Sequence, residues 1–341
     1  MYMEKILTIL QTKTEAFLTW RKRRKLIKKE KLRRKNVVLD WVEAFLSAVV
    51  IVFFINQYLL QAYQIPTGSM IATLMEGDRI FVNKLSYGPE LLPGLVKLPG
   101  FKYIERGEIA IFESPEYKSK GTLSDIIIRI VYMMTFSFID LDRDEFGNPA
   151  KHFLIKRVMG IPGDLLRERK GLLELRPAGE QRWYKEVELK EKMQLNYNLN
   201  KRAYSEKDYQ QYDRAVPLTV LHEEHLPYKE EKKEEIKDLF YLDTDDQGNN
   251  VWYPRKNYDF SYVDLLRYRT KSETRPYDEI NKREWRKKHN GRYISGGFIF
   301  PMGDNRDDSR DARVFGPVRL RNVLGQSLLR FWPFNRFGGI R

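Results

Sequence analysis

The chain has 341 residues, 42% hydrophobic and 32% charged, which suffices for one large domain or two small ones with a packed core. It holds no cysteine, so a disulfide framework, a thiol nucleophile and a cysteine-ligated metal are excluded. The net charge of +14 is not spread over a nucleic-acid-binding surface: Arg21–Lys35 carries eleven Lys or Arg against one Glu, which leaves only +4 for the remaining residues.

That basic run sits directly before an apolar one. Val37–Leu60 reads VVLDWVEAFLSAVVIVFFINQYLL, and its heart, Ala44–Ile55, carries no charge. As a helix, Trp41–Tyr63 would reach about 34 Å, enough to cross the hydrocarbon core. Trp41 and Tyr58 or Tyr63 are the expected interfacial anchors. Basic residues stay cytoplasmic, so residues 1–36 are expected inside and everything after about Tyr63 outside, with the membrane crossed once. A 36-residue basic preface is too long for the n-region of a cleavable leader, so the span reads as an uncleaved signal anchor. Residues 1–36 are expected to lie as a helix on the inner leaflet. Ile6, Leu7, Ile9, Leu10, Phe17 and Leu18 would form its apolar surface, and its lysines and arginines would meet anionic lipid.

After the span the pattern changes to short apolar runs punctuated by Gly, Pro, Asn and Asp. Asp78–Gly88, Arg106–Pro115, His152–Asp164, Gly296–Asn305 and Val323–Pro333 each read as a strand with its turn. Leu123–Ile139 is apolar but interrupted by Arg129, and reads as a core strand pair or an interfacial flap rather than a second span. Residues 165–292 are charged and rich in tyrosine. Within them Lys229–Phe240 reads as a solvated helix and Leu242–Asn250 as a hairpin turn. A calcium loop is disfavoured there, because Pro254 stands where the bidentate Glu is needed. His222 and His225 lack the spacing that puts two imidazoles on one helical face, and no metal site or cofactor is expected. The expected fold is mainly β: a transmembrane helix (37–62) and an extracytoplasmic antiparallel β-sheet domain (63–164 and 293–341) with a large α/β insertion (165–292).

Three stretches carry chemistry. Ile65–Leu74 (IPTGSMIATL) places Ser69 in a turn a few residues beyond the span. Phe153–Asp164 (FLIKRVMGIPGD) places Lys156 in a strand among Phe153, Leu154, Ile155, Val158 and Met159. A serine needs a base to attack an amide, and a lysine serves only if its surroundings disfavour the ammonium form, which apolar neighbours do. Arg157 alternates with Lys156 and is expected to face the other way. In Gly303–Pro317 (GDNRDDSRDARVFGP), Arg306, Arg310 and Arg313 interleave with Asp304, Asp307, Asp308 and Asp311, so ion pairing explains the charge better than a bound cation.

These stretches resemble the type I signal peptidases, membrane-anchored Ser–Lys proteases of the S26 family that remove signal peptides from exported preproteins. The resemblance implies that Ser69 is the nucleophile and Lys156 the general base. It implies an oxyanion site made by the Ser69 N–H and the Thr67 hydroxyl, with Ser309 orienting the lysine amine. It also implies a salt-bridged support for the dyad from Asp304, Arg306, Asp311 and Arg313, beside Arg157. Cleavage after small residues in an Ala-x-Ala pattern is implied, in a shallow pocket lined by Tyr63, Ile65, Met70, Leu74 and Ile155. The expected partners are preprotein signal peptides, membrane lipid and a neighbouring secretion translocon, without nucleic acid. This sequence departs from the family pattern at Ala72, where the pattern has proline, and in having one span where many members have two. The alternatives are a specialised Ser–Lys peptidase for one secretion or pilus partner, and a catalytically dead membrane-anchored scaffold.

Overall fold

The computed structural model describes residues 2–34, 37–91, 96–117, 119–135, 138–143, 152–170, 172–227, 236–237, 239–244, 250–254 and 259–340. The chain divides between Phe54 and Ile55 into two compact units. The first holds two helices, α1 (Tyr2–Arg34) and α2 (Val37–Phe54). Apolar side chains cover α2 on every side, and Leu39, Trp41, Phe45 and Val50 are all exposed, as suits a helix whose solvent is lipid. Val38–Leu59 is long and apolar enough to cross a membrane by length and composition.

The expected continuation of this helix to Tyr63 is corrected by the structure. Ile55–Leu59 forms a π-helical turn, and Leu60–Gln64 is already a strand, β1. The polar pair Asn56 and Gln57 explains the break: both side chains are buried, and Gln57 Nε2 donates to the Glu90 carbonyl at 2.8 Å. Tyr63 is therefore a core residue, 2% exposed, and not an interfacial anchor.

The second unit is built on an antiparallel sheet of β1, β2 (Arg79–Asn83), β3 (Ile109–Glu113), β4 (Phe153–Gly160), β11 (Phe298–Met302), β12 (Val318–Arg319), β13 (Val323–Trp332) and β14 (Gly338–Gly339). The order is β1-β2-β13-β3-β4-β11-β12, with β14 paired to β13. Each of the five strands read from the sequence is present. Strand β3 shows why its sequence is apolar without alternation: Ile109 and Ile111 enter one core cluster, Ala110 and Phe112 another, so both faces are buried.

Between β4 and β11 lie a sheet of order β10-β5-β6-β7 and a hairpin, β8 (Phe240–Thr244) with β9 (Asn250–Pro254). The first sheet comprises β5 (Leu165–Arg169), β6 (Leu172–Arg176), β7 (Tyr184–Lys185) and β10 (Arg292–Tyr293). Helices α4 (Glu186–Lys192), α5 (Glu206–Glu223), Phe260–Thr274 and Glu279–Asn290 accompany them. The hairpin agrees with the turn expected around Leu242–Asn250, whose residues 245–249 lie outside the described residues. Most of the helix expected at Lys229–Phe240 also lies outside them. Leu123–Ile139 is not a strand pair: Thr122–Met134 is helix α3. Its period is helical, with Arg129, Tyr132 and Met133 buried while Leu123 and Ile127 are exposed.

Candidate active site

Strands β1 and β4 are four steps apart in the sheet order, about 19 Å in a flat sheet at 4.8 Å per step. Yet Ser69, just beyond β1, lies 2.6 Å through its Oγ from Lys156 Nζ on β4. The sheet curls, and the curl is what makes the site. Ser69 sits in a 3-10 turn, Gly68–Met70, anchored by Met70, which is 1% exposed. Ile65 N–H donates to Asp78 O at 2.8 Å and Gly77 N–H to Ile65 O at 2.9 Å, closing the loop against the start of β2. Lys156 is 3% exposed and also donates to the Ile155 carbonyl at 3.0 Å. Thr67 Oγ1 stands 3.4 Å from Ser69 Oγ, so its hydroxyl borders that of Ser69.

Arg157 turns to the other partner set. Its Nε and Nη2 donate to Asp304 at 2.8 and 2.7 Å, and Nη1 donates to Gly107 O at 2.6 Å. Thr73 Oγ1 donates to the same Asp304 carboxylate at 2.5 Å. Arg157 and Asp304 are 1% and 0% exposed in their side chains, and the charge-assisted fork makes that burial tolerable.

The support from 304–313 is therefore not internally paired throughout. Only Asp311 and Arg313 pair within the stretch, Nε to Oδ1 at 2.9 Å. Burial opposes ionisation of Asp311, but the Arg313 guanidinium and the N–H groups of Gly303 and Arg313 outweigh it and hold the carboxyl below its ordinary value. Arg306 instead pairs with Glu186 of α4, at 2.6 and 3.1 Å, and Glu186 also accepts from the Tyr197 hydroxyl at 2.8 Å. Arg157 lies over the Tyr197 ring, 4.4 Å from its centroid. Arg310 pairs with Glu116 at the surface.

Ser309 is buried beside the site, but its Oγ makes no hydrogen bond among the described residues. Gly303 separates it from Ser69: a Cβ there would meet Ser309 Oγ and, at 2.5 Å, the Ser69 carbonyl oxygen. Ala72, where the family pattern has proline, has φ 92°, a conformation closed to proline, whose φ is fixed near −65°. His152 packs away from Ser69 and Lys156. It stacks between Tyr117 and Phe153, at 3.8 and 4.3 Å, and burial first, then Arg129, lowers its pKa to about 4.

Tyr63, Ile65, Met70, Leu74 and Ile155 do gather in one cluster. They are buried together with Tyr132 of α3 rather than lining an open pocket. Its ring lies 6.0 Å from that of Tyr63, and its hydroxyl accepts from Gln64 N–H at 3.3 Å. Thr73, Glu186, Tyr197, Asn200, Asn305 and Tyr132 escaped the sequence reading. Thr73 and Asn305 fall inside stretches already singled out, whereas Glu186, Tyr197 and Asn200 carry no local signal. Among the described residues no group of three or more His, Cys, Asp or Glu side chains could hold a metal ion.

Comparisons with known proteins identify the family. The signal peptidase (peptidase S26) family model matches residues 38–332. Signal peptidase I of Pseudomonas fluorescens is 29% identical over 316 residues, 89% of this chain and 76% of the relative. Signal peptidase I of Buchnera aphidicola subsp. Acyrthosiphon pisum is 25% identical over 319 residues, 90% of this chain and 79% of the relative. Signal peptidase IB of Staphylococcus aureus strain COL is 22% identical over 303 residues, covering 89% and 94%. With a match that runs through both Ser69 and Lys156 and takes in most of the chain, this protein belongs to the S26 signal peptidase family.

Proposed function

We propose that the chain is a membrane-bound serine endopeptidase that removes N-terminal signal peptides from exported preproteins. Ser69 is the nucleophile and Lys156 the general base. The observation that carries this reading is the 2.6 Å contact between Lys156 Nζ and Ser69 Oγ, made by a lysine only 3% exposed. Desolvation of that kind disfavours the ammonium form, which is what a lysine acting as general base requires.

In this mechanism Lys156 takes the Ser69 hydroxyl proton while Oγ attacks the scissile carbonyl carbon. The electron pair of the carbonyl moves to its oxygen, which the Ser69 N–H and the Thr67 hydroxyl stabilise. The tetrahedral species collapses, the C–N bond breaks, and Lys156 returns its proton to the leaving amine. Water then adds to the acyl-enzyme with Lys156 again as base, the acyl C–Oγ bond breaks, and Lys156 returns the proton to Ser69 Oγ. The ion pairs of Arg157, Arg306 and Arg313 hold the strands and turn that carry these groups.

The substrate would lie extended along the outer edge of β1. Ile65 N–H points to β2, so the alternating Gln64 N–H points outward, where a peptide carbonyl can take it in place of the Tyr132 hydroxyl. Once the Tyr132 ring moves aside, the cluster around Tyr63, Ile65, Met70, Leu74 and Ile155 would admit only small side chains such as alanine at the cut. Residues 1–36 would be cytoplasmic, the apolar stretch from residue 37 to Leu59 membrane-embedded, and β1 onward to 164 with 293–341 a catalytic domain on the outer face of the inner membrane. Residues 165–292 would form an α/β insertion, and the translocon and lipid are the expected neighbours.

The test is to incubate the detergent-solubilised protein with a preprotein bearing an Ala-x-Ala site and to map the products by mass spectrometry. A single cut after the second alanine, lost in Ser69→Ala, is expected. Absence of cleavage, or cleavage that survives in Ser69→Ala, would overturn the reading.

A further inference from the structure

Asn305 holds the nucleophile's backbone on both sides. Its Nδ2 donates to Gly68 O at 3.0 Å, and its own N–H donates to Ser69 O at 3.1 Å. Gly68 C=O and Ser69 N–H belong to one planar peptide, so a hydrogen bond at the oxygen fixes the direction of the N–H at the opposite edge. The same bond polarises the peptide and strengthens that N–H as a donor. This N–H is the backbone oxyanion donor in the peptidase reading.

The amide of Asn305 can point either way, and only one orientation serves. A carbonyl only accepts, so Gly68 O requires the NH2 group of Asn305, which turns Oδ1 the other way. There it accepts from Asn200 Nδ2 at 3.0 Å. Asn200 belongs to the 165–292 segment and is locked to the loop by its backbone as well: Asn200 N–H donates to Asp304 O at 2.9 Å and Arg306 N–H to Asn200 O at 2.8 Å. Asn305 is 6% exposed, whereas Asn200 reaches solvent.

We propose that Asn305, and Asn200 acting through it, are positioning residues for the oxyanion-binding peptide. On this account the insertion completes the active site in addition to lying beside it. The inference rests on the reading of Ser69 as nucleophile. Replacing Asn200 by aspartate keeps the volume but exchanges the donor for an acceptor. The Asn305 amide then turns its NH2 group to the carboxylate and its oxygen to Gly68 O, which repels the anchored peptide.

The experiment measures kcat and KM of the full-length protein in detergent on a preprotein substrate. The variants are Asn305→Ala, Asn200→Ala, Asn200→Asp, and Asn200→Asp combined with Asn305→Ala. Loss of a whole oxyanion donor costs on the order of 10²–10³ in rate, so loss of its anchor should lower kcat by about 10–100-fold with KM little changed. Asn200→Asp should be slower than Asn200→Ala, and should cost nothing further once Asn305 is alanine. A role in packing alone predicts the reverse order, because aspartate fills the space and alanine does not. If Asn305→Ala fails to fold, the two Asn200 variants decide alone, since that side chain is not part of a core. Wild-type kcat in Asn200→Asp, or aspartate outperforming alanine, would overturn the inference while leaving the peptidase reading intact. Absence of Ser69-dependent cleavage by the wild type would overturn both.

Discussion

Asp304→Asn is the most informative test of how the site is held. The carboxylate accepts from Arg157 Nε and Nη2 and from Thr73 Oγ1, and neither charged side chain of the pair is more than 1% exposed. The amide has nearly the same shape but no charge, so it takes the carboxylate's charge away from the buried Arg157 guanidinium. Breaking a buried pair in this way typically costs about 3–5 kcal/mol. Set against a total domain stability of about 5–15 kcal/mol, that is a large share. At about 2–4 °C per kcal/mol for a domain of this class, the melting temperature should fall by about 6–20 °C. The assay is thermal unfolding of the full-length protein in detergent, followed by circular dichroism. The pair Arg157→Met with Asp304→Leu supplies the companion arm. Removing both charges should cost far less than the sum of the two single changes. A shift below about 1 kcal/mol in Asp304→Asn, or additive single changes, would refute the claim that this pair acts as one desolvated unit.

Lys84 lies at the end of β2 with Nζ 4.0 Å from Met133 Sδ, and burial, ahead of the opposing Glu90 and the reinforcing Arg129, lowers its pKa from 10.5 to about 7. Between about pH 7 and 10.5 the unfolded chain therefore binds a proton that the folded chain has released, so stability rises with pH through this window, by up to about 5 kcal/mol across it. Below about pH 7 both states hold the proton and the cost is constant. Lys84→Met should remove that slope and raise the melting temperature at pH 7; an unchanged slope between pH 7 and 9 would contradict the assignment. Tyr132 must leave Gln64 N–H before a peptide carbonyl can take it, so Tyr132→Ala should lower KM several-fold, and a raised KM would mean that the ring helps to bind the substrate instead.

The parts of the fold legible in the sequence are those whose signal is local. Apolar runs bounded by turn residues marked β2, β3, β4, β11 and β13, and Ser69 and Lys156 stood out because their neighbours restrict what a serine and a lysine can do. The end of the apolar helix was misread because Leu60, Ala62 and Tyr63 are apolar in either solvent. Only the burial of Asn56 and Gln57 against other parts of the chain turns the backbone into β1. Leu123–Ile139 was ambiguous because one arginine in an apolar run fits a strand or a helix. Its ion pairs with Glu90 and Glu113 make the helix affordable, and these depend on residues distant in sequence. The partner of Arg306 was unreadable for the same reason, since Glu186 lies 120 residues away in a stretch without motif.

The central claim is that Lys156 acts as a proton acceptor and not as a fixed charge. The direct measurement is kcat/KM for preprotein cleavage by Lys156→Arg, beside the wild type and Lys156→Ala. Arginine keeps the positive charge and much of the bulk but cannot give up its proton. The account predicts that Lys156→Arg is as inactive as Lys156→Ala, with both variants folded and both retaining Ser69. Substantial cleavage by Lys156→Arg would make Lys156 a charge or binding contact and would contradict the Ser–Lys mechanism.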